Sequence, residues 1–224
     1  MKKLFGCIAF SVFLSQAHAT LDFYDSFNYT TTGVQLATAA APTWVAYAGG
    51  GIHPTNNPGS LSYPNLPTAP GDNSVLLNGS GGTATGVAAR NLAQLYTGAI
   101  AQTLYYSLTL NVSNISLADW GGGVNLTSGS FMLGFNQRLQ NGTTPLAQID
   151  AAAPLLIRGG DPANVSGTNN DFQGYQLGVG VTATTATRIF DATHTYNPRD
   201  TLFIVVSYTF NPGQIGRASC RERV

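Results

Sequence analysis

Charge is what this sequence has least of. Only 9% of its 224 residues are Asp, Glu, Lys or Arg. Lysine occurs at Lys2 and Lys3 alone, and the one glutamate is Glu222. Between Thr20 and Gln214, five arginines face nine aspartates, a net charge of −4, so the zero net charge of the whole chain comes from its two ends. A mildly acidic body with no basic cluster excludes nucleic acid as a partner, because phosphate binding needs grouped Lys and Arg. Cysteine is equally scarce: Cys7 and Cys220 leave residues 20–214 with none. That excludes a disulfide framework, so the body must rely on its core. At about 195 residues it is large enough, since a domain of that size buries about 70% of its unfolded surface. Long apolar runs are absent. Leu4–Leu14 is the most apolar stretch, and it falls short of the roughly 20 residues a membrane span needs.

What is present at the N-terminus is a short basic start, that apolar run, and Ala17-His18-Ala19, a small-x-small pattern. These are the parts of a secretory signal peptide over residues 1–19, cut after Ala19. The expected location is therefore outside the cell, at the surface or in the extracellular matrix. At the other end, "IGRASCRERV" (residues 215–224) packs Arg217, Arg221, Glu222 and Arg223 into ten residues. It resembles the in-frame translation of a common sequencing adapter. On that resemblance residues 215–224 stand outside the fold, and the natural gene is expected to continue beyond Gln214.

The body reads as strands. Leu104, Tyr106, Leu108, Leu110 and Val112 alternate with polar positions, as do Tyr175, Leu177, Val179 and Val181. Phe131, Leu133 and Phe135 alternate with Ser130, Met132 and Gly134. Leu202, Ile204, Val206, Tyr208 and Phe210 share one face, with Phe203 and Val205 on the other, which predicts a central strand. Period-two alternation puts one face of a strand in a core. Shorter strands are expected at Leu21–Phe27, Leu61–Tyr63, Ser74–Leu77, Val87–Leu92 and Leu155–Arg158, and a helical turn or two at Ala88–Tyr96. Turns such as Asn57-Pro58-Gly59 and Pro70-Gly71-Asp72-Asn73 separate them, with Gly, Asn and Asp supplying the required backbone angles. The expectation is an all-β, two-sheet antiparallel jelly-roll sandwich over residues 20–214, cut short at its C-terminus. A parallel β-helix would need a short regular period, which the sequence lacks.

"YDSFNYTTTGVQL", "TWVAYAGGGIHPTNNPGSLSYPNLP" and "AARNL", with the later Phe131–Phe135 and Thr201–Val206 strands, resemble secreted bacterial proteins of the PEP-CTERM type. Those proteins carry a concanavalin A-like lectin/glucanase (LamG-like) jelly roll. The resemblance implies a jelly-roll fold and an extracellular polysaccharide as partner. A membrane or sorting anchor is implied only in a segment following Gln214.

Chemistry is sparse. Glycan-cleaving jelly rolls use paired carboxylates, usually Glu, and no Glu precedes Gln214. The Asp residues fall mostly at turns. No Gly-x-Ser-x-Gly elbow accompanies His53 and His194, and two histidines are too few for catalytic zinc. In "GGDPANVSGTNNDF", Asp161, Asn169 and Asp171, with Asn164 and Asn170, are hard oxygen donors of the type Ca²⁺ takes. Asx turns in a polar loop are the favoured account of them, since their spacing matches no EF-hand loop. Trp44 and Trp120 are the aromatic candidates for stacking on sugar rings; caps on the ends of the core are the alternative. The function this supports is a non-catalytic surface or matrix protein that binds polysaccharide. Two readings stand beside it: a divergent glycan-cleaving enzyme whose acids lie past Gln214, and an autotransporter passenger domain.

Overall fold

The computed structural model describes residues 21–22, 24–47, 53–67, 71–77, 87–93, 96, 100–113, 129–136, 151–159, 165–166, 171–172, 174–181, 187–211 and 214–223; in 214–218 and 220–223 it describes the backbone alone. A short helix, α1 (Leu36–Ala39), precedes β1 (Val45–Tyr47), β2 (Thr55–Asn57), β3 (Ser74–Leu76), β4 (Val87–Ala89), β5 (Gln102–Asn111), β6 (Ser130–Asn136), β7 (Ala151–Gly159), β8 (Val165–Ser166), β9 (Asp171–Phe172), β10 (Tyr175–Gly180), β11 (Arg188–Phe190), β12 (Thr201–Asn211) and β13 (Gln214–Arg223). Every strand pair is antiparallel. The chain is all-β, as its alternation requires.

Two sheets make the core. One has the order β11-β10-β7-β6 and the other β13-β12-β5. Leu110 and Val112, with Leu202, Ile204, Val206 and Tyr208 of β12, share one apolar cluster with Ala153, Leu155 and Ile157 of β7 and Tyr175 and Leu177 of β10. Ile204, Val206, Leu155 and Tyr175 are fully buried. Each such side chain contributes about 1.5–3 kcal/mol by leaving water. β5 and β12 pair over ten consecutive positions without a break, so Tyr106 stands opposite Val206 and Leu108 opposite Ile204. A one-residue slip would turn both apolar rows to solvent. Tyr105, on the other face, is 65% exposed.

β7 runs through Pro154, which is fully buried. Proline has no N–H to give a ladder, so it sits in strands at irregularities. Here the β6–β7 register shifts between Phe131 and Leu133 and again between Leu133 and Phe135, and Ala153 takes a φ of +46°. The shifts break the expected Phe131–Leu133–Phe135 face: it is Met132 and Phe135 that pack on the core. Gly134 allows the two strands to meet, because a Cβ there would stand 3.1 Å from Pro154 Cα.

Several short elements differ from expectation. Ala88 and Ala89 pair with β1, as the strand expected at Val87–Leu92 requires and the helical turns expected at Ala88–Tyr96 do not. The helix instead forms at Leu36–Ala39, burying Leu36 and Ala40. Intrinsic propensity yields readily to pairing at this length. Leu21–Phe27 and Leu61–Tyr63 form no ladder; Tyr63 lays its ring on Phe203 at 5.8 Å, covering part of the outer face of β12. β1, β2 and β11 carry too few residues for a periodic signal. The tail 215–224 was expected to stand outside the fold, yet residues 215–223 of it, with Gln214, form β13 along β12. Backbone pairing asks only for donors and acceptors, whatever the origin of the segment, and β12 offers a full row of them.

Candidate functional site

Two arrangements centre on aspartates. The first is a hub at Asp25. Its Oδ2 accepts bonds from the Tyr29 hydroxyl (2.7 Å), the Trp44 indole Nε1 (2.7 Å) and Arg90 Nη1 (3.0 Å). Its Oδ1 accepts the Phe27 backbone N–H at 2.8 Å, an Asx turn that holds Phe27 at a φ of +55°. The Trp44 ring meets Phe27 at 6.0 Å. Asp25 is 9% exposed and Arg90 24%. Burial, followed by the adjoining Asp25 carboxylate, pushes the Tyr29 phenol up to about 12. Beside the hub, Asn56 donates through Nδ2 to the carbonyls of Tyr29 and Thr31, and Asn73 to those of Phe27 and Tyr29. Trp44 is thus half-buried with its polar edge committed. This network fastens the segment Asp25–Thr31 to β2 and β3, to β4's end and to Trp44.

The second arrangement lies on the loop between β11 and β12. Asp191 Oδ1 accepts the backbone N–H (2.9 Å) and hydroxyl (2.6 Å) of Thr193, and Oδ2 takes a bond from His194 Nδ1 at 2.8 Å. These donors hold the Asp191 carboxyl down at about 2, with the Thr193 hydroxyl the largest cause. A carboxylate can only accept, so Nδ1 donates to Asp191, and the Nε2 edge faces away from it. The imidazole lies nearly parallel to Tyr196, 10° between planes and 6.3 Å between centres. Tyr196 is anchored in turn: its N–H and C=O bond Tyr175 at 2.8 and 2.9 Å, and the two rings meet at 5.6 Å. Arg199, at a φ of +74°, ties the loop to β5's end through its N–H to Val112 O and its carbonyl from Asn111 Nδ2. Asn197 donates to Asp200 Oδ2 at 3.2 Å. His194, Tyr196, Asn197, Asp200 and Leu202 border an open cleft of about 380 Å³.

This cleft offers a half-buried aromatic face, an imidazole edge, an amide and a carboxylate along one short loop. No hydroxyl among the described residues bonds His194 Nε2; Thr193 Oγ1 approaches Nδ1, the nitrogen Asp191 already occupies. No group of three His, Cys, Asp or Glu side chains among the described residues converges on a metal position. Of the expected calcium donors, Asp161 and Asn169 lie outside the described residues, as does Trp120. Asp171 is described in its backbone, paired with Ser166 in the β8–β9 ladder. His53 sits just before β2, away from any ring or carboxylate partner among the described residues, its Nδ1 buried without a bond. The cleft loop was missed by alternation because "DATHTYNPRD" has none; the Asp-x-Thr-His spacing was its one readable signal.

No family model, no curated protein and no solved structure matches this chain.

Proposed function

We propose that this chain is a secreted, non-catalytic β-sandwich protein of the bacterial surface or matrix that binds polysaccharide in the cleft between His194 and Leu202. One observation carries the reading: a Tyr196–His194 ring pair set beside the amide of Asn197 and the carboxylate of Asp200. Sugar rings present apolar faces to aromatic side chains and hydroxyls to amides and carboxylates. Two aspartates at the site favour neutral sugars over uronates or sulfated ones, by like-charge repulsion. The N-terminal signal pattern supports export, and the resemblance to concanavalin A-like proteins of the PEP-CTERM type supports both jelly-roll connectivity and a glycan partner.

Titration calorimetry against soluble neutral and anionic polysaccharides tests it. A neutral glucan or galactan is expected to bind, and His194→Ala and Asn197→Ala are each expected to weaken that binding about tenfold, the loss of one good contact of about 1.4 kcal/mol. Heat of binding on no polysaccharide, or unchanged affinity in both variants, would overturn it.

A further inference from the structure

The two rings of the cleft are fixed from different directions. Tyr196 is held from β10, by its backbone bridge to Tyr175 and by the contact of the two phenol rings at 5.6 Å. His194 is held from Asp191. Its Nδ1 meets two acceptors, Asp191 Oδ2 at 2.8 Å and Thr193 Oγ1 at 2.9 Å. The Thr193 hydroxyl donates its own proton to Asp191 Oδ1 at 2.6 Å, so it turns an oxygen lone pair toward the imidazole. Both neighbours therefore require Nδ1 to donate. A neutral imidazole held in this way has one tautomer, with the proton on Nδ1. Turning the ring over would carry Nδ1 away from Asp191, and the ring stays parallel to Tyr196 within 10°.

The holding group is itself held. The side chains of His194 and Asp191 are 67% and 41% exposed, and an exposed pair alone contributes little, because ordering two side chains offsets their attraction. Asp191 Oδ1, however, takes the Thr193 N–H at 2.9 Å as well as the hydroxyl. The carboxylate is in place before His194 joins it, so only the imidazole loses freedom. Asp191 lies outside the lining of the cleft, whereas His194, Tyr196, Asn197 and Asp200 border it.

We propose that Asp191 is a positioning residue of the cleft, which acts through His194 rather than on the ligand: it sets the affinity for polysaccharide by holding the imidazole in one tautomer and one orientation beside Tyr196. A ligand that meets an ordered ring does not have to order it, which is how pre-arranged groups raise affinity. The proposal rests on the polysaccharide reading for its ligand, and on the loop geometry alone for the holding of the ring.

Nitrogen-15 resonances of the His194 ring in the full chain, in alkaline buffer where imidazole is neutral, read the tautomer directly. The unaltered chain is expected to show the proton on Nδ1. Asp191→Ala is expected to move it to Nε2, since the carboxylate is gone and the Thr193 hydroxyl is released to donate to Nδ1. Thr193→Val disturbs the same loop but keeps the Asp191–His194 bond, and should leave the proton on Nδ1. Calorimetry with a neutral polysaccharide reads the consequence. Asp191→Ala is expected to weaken binding about threefold. In a chain that already carries His194→Ala it is expected to weaken binding no further, the mark of an effect routed through His194. If Asp191→Ala does not fold, Asp191→Asn decides: its oxygen stays on Thr193 and its amide N–H faces Nδ1, so the proton is again expected on Nε2. A proton on Nε2 in the unaltered chain, or a tautomer unmoved by the variant, overturns the holding of the ring. Unchanged affinity, or a loss that adds to that of His194→Ala, overturns the role in binding. An unaltered chain that binds no polysaccharide sinks the polysaccharide reading by itself, and the tautomer still decides whether Asp191 holds the ring.

Discussion

One oxygen of Asp25 accepts three side-chain hydrogen bonds, and the consequence is local and steep. Removing the carboxylate takes from Arg90 its bond to Asp25 and leaves the Tyr29 and Trp44 donors without that acceptor. Groups stranded in this way cost far more than the interaction gained. Asp25→Ala is expected to destabilise the chain by about 2–4 kcal/mol in urea unfolding, discounted for the partial exposure of Arg90. Asp25→Asn, which keeps an acceptor, should cost clearly less. Gly178 makes the other residue-scale prediction. A Cβ there would lie 2.6 Å from Phe190 Cδ1 and 2.8 Å from Ile189 O. Phe190 cannot retreat freely, because the Arg158 guanidinium sits 4.2 Å above its ring and bonds Gln176 at 2.9 Å. Gly178→Ala is expected to cost about 1–3 kcal/mol by overpacking. Asp191 predicts a pH dependence. Its folded value, about 2, lies below the ordinary aspartate value of about 3.9. The stability it confers is therefore complete above pH 4 and fades as pH falls through 2. Carboxyl resonances followed by NMR should show the Asp191 midpoint near 2 in the wild type and clearly higher, though still below the ordinary value, after Thr193→Val with His194→Ala, because the backbone N–H at position 193 still donates to the carboxylate.

At the scale of elements, alternation was enough where a strand exceeded about six residues and one face was buried. β5 and β12 follow it, with Ile204 and Val206 inward; β10 turns Tyr175 and Leu177 inward as expected but buries Gln176 as well. It failed at β6, where two register shifts opposite Pro154 and Ala153 exchange which side chains reach the core. Nothing in "SFMLGF" records an irregularity imposed by its neighbour. Three-residue strands such as β1 and β11 have no period to read; they pair with β4 and β10. The cleft was illegible for a related reason. Its groups gather because Tyr196 is bridged to Tyr175 and Arg199 to Val112, and a single loop sequence cannot announce those anchors. Trp44 shows the converse: the residue type was legible as an aromatic candidate, but its partner Asp25, nineteen positions earlier, decided its role. Within β12, Ile204→Ala is expected to cost about 2–5 kcal/mol because the residue is wholly enclosed, while Ser207→Ala, on the outer face, should stay within about 1 kcal/mol. Thermal unfolding of the two variants side by side checks the direction of burial along the strand.

For the whole molecule, the account depends on the two sheets closing over one core, which places the β11–β12 loop and its cleft on a supported edge. That closure joins residues from opposite halves of the chain: Leu110 and Val112 with Ala153, Leu155 and Ile157, and these with Ile204 and Val206. The most direct measurement is a set of methyl–methyl nuclear Overhauser contacts in a chain labelled at Ile, Leu and Val. The predicted result is contacts from Ile204 and Val206 to Leu155, Ile157 and Leu177, across the interface between sheets. Contacts confined to neighbours within each sheet, with none crossing, would contradict the shared core and the placement of the cleft that follows from it.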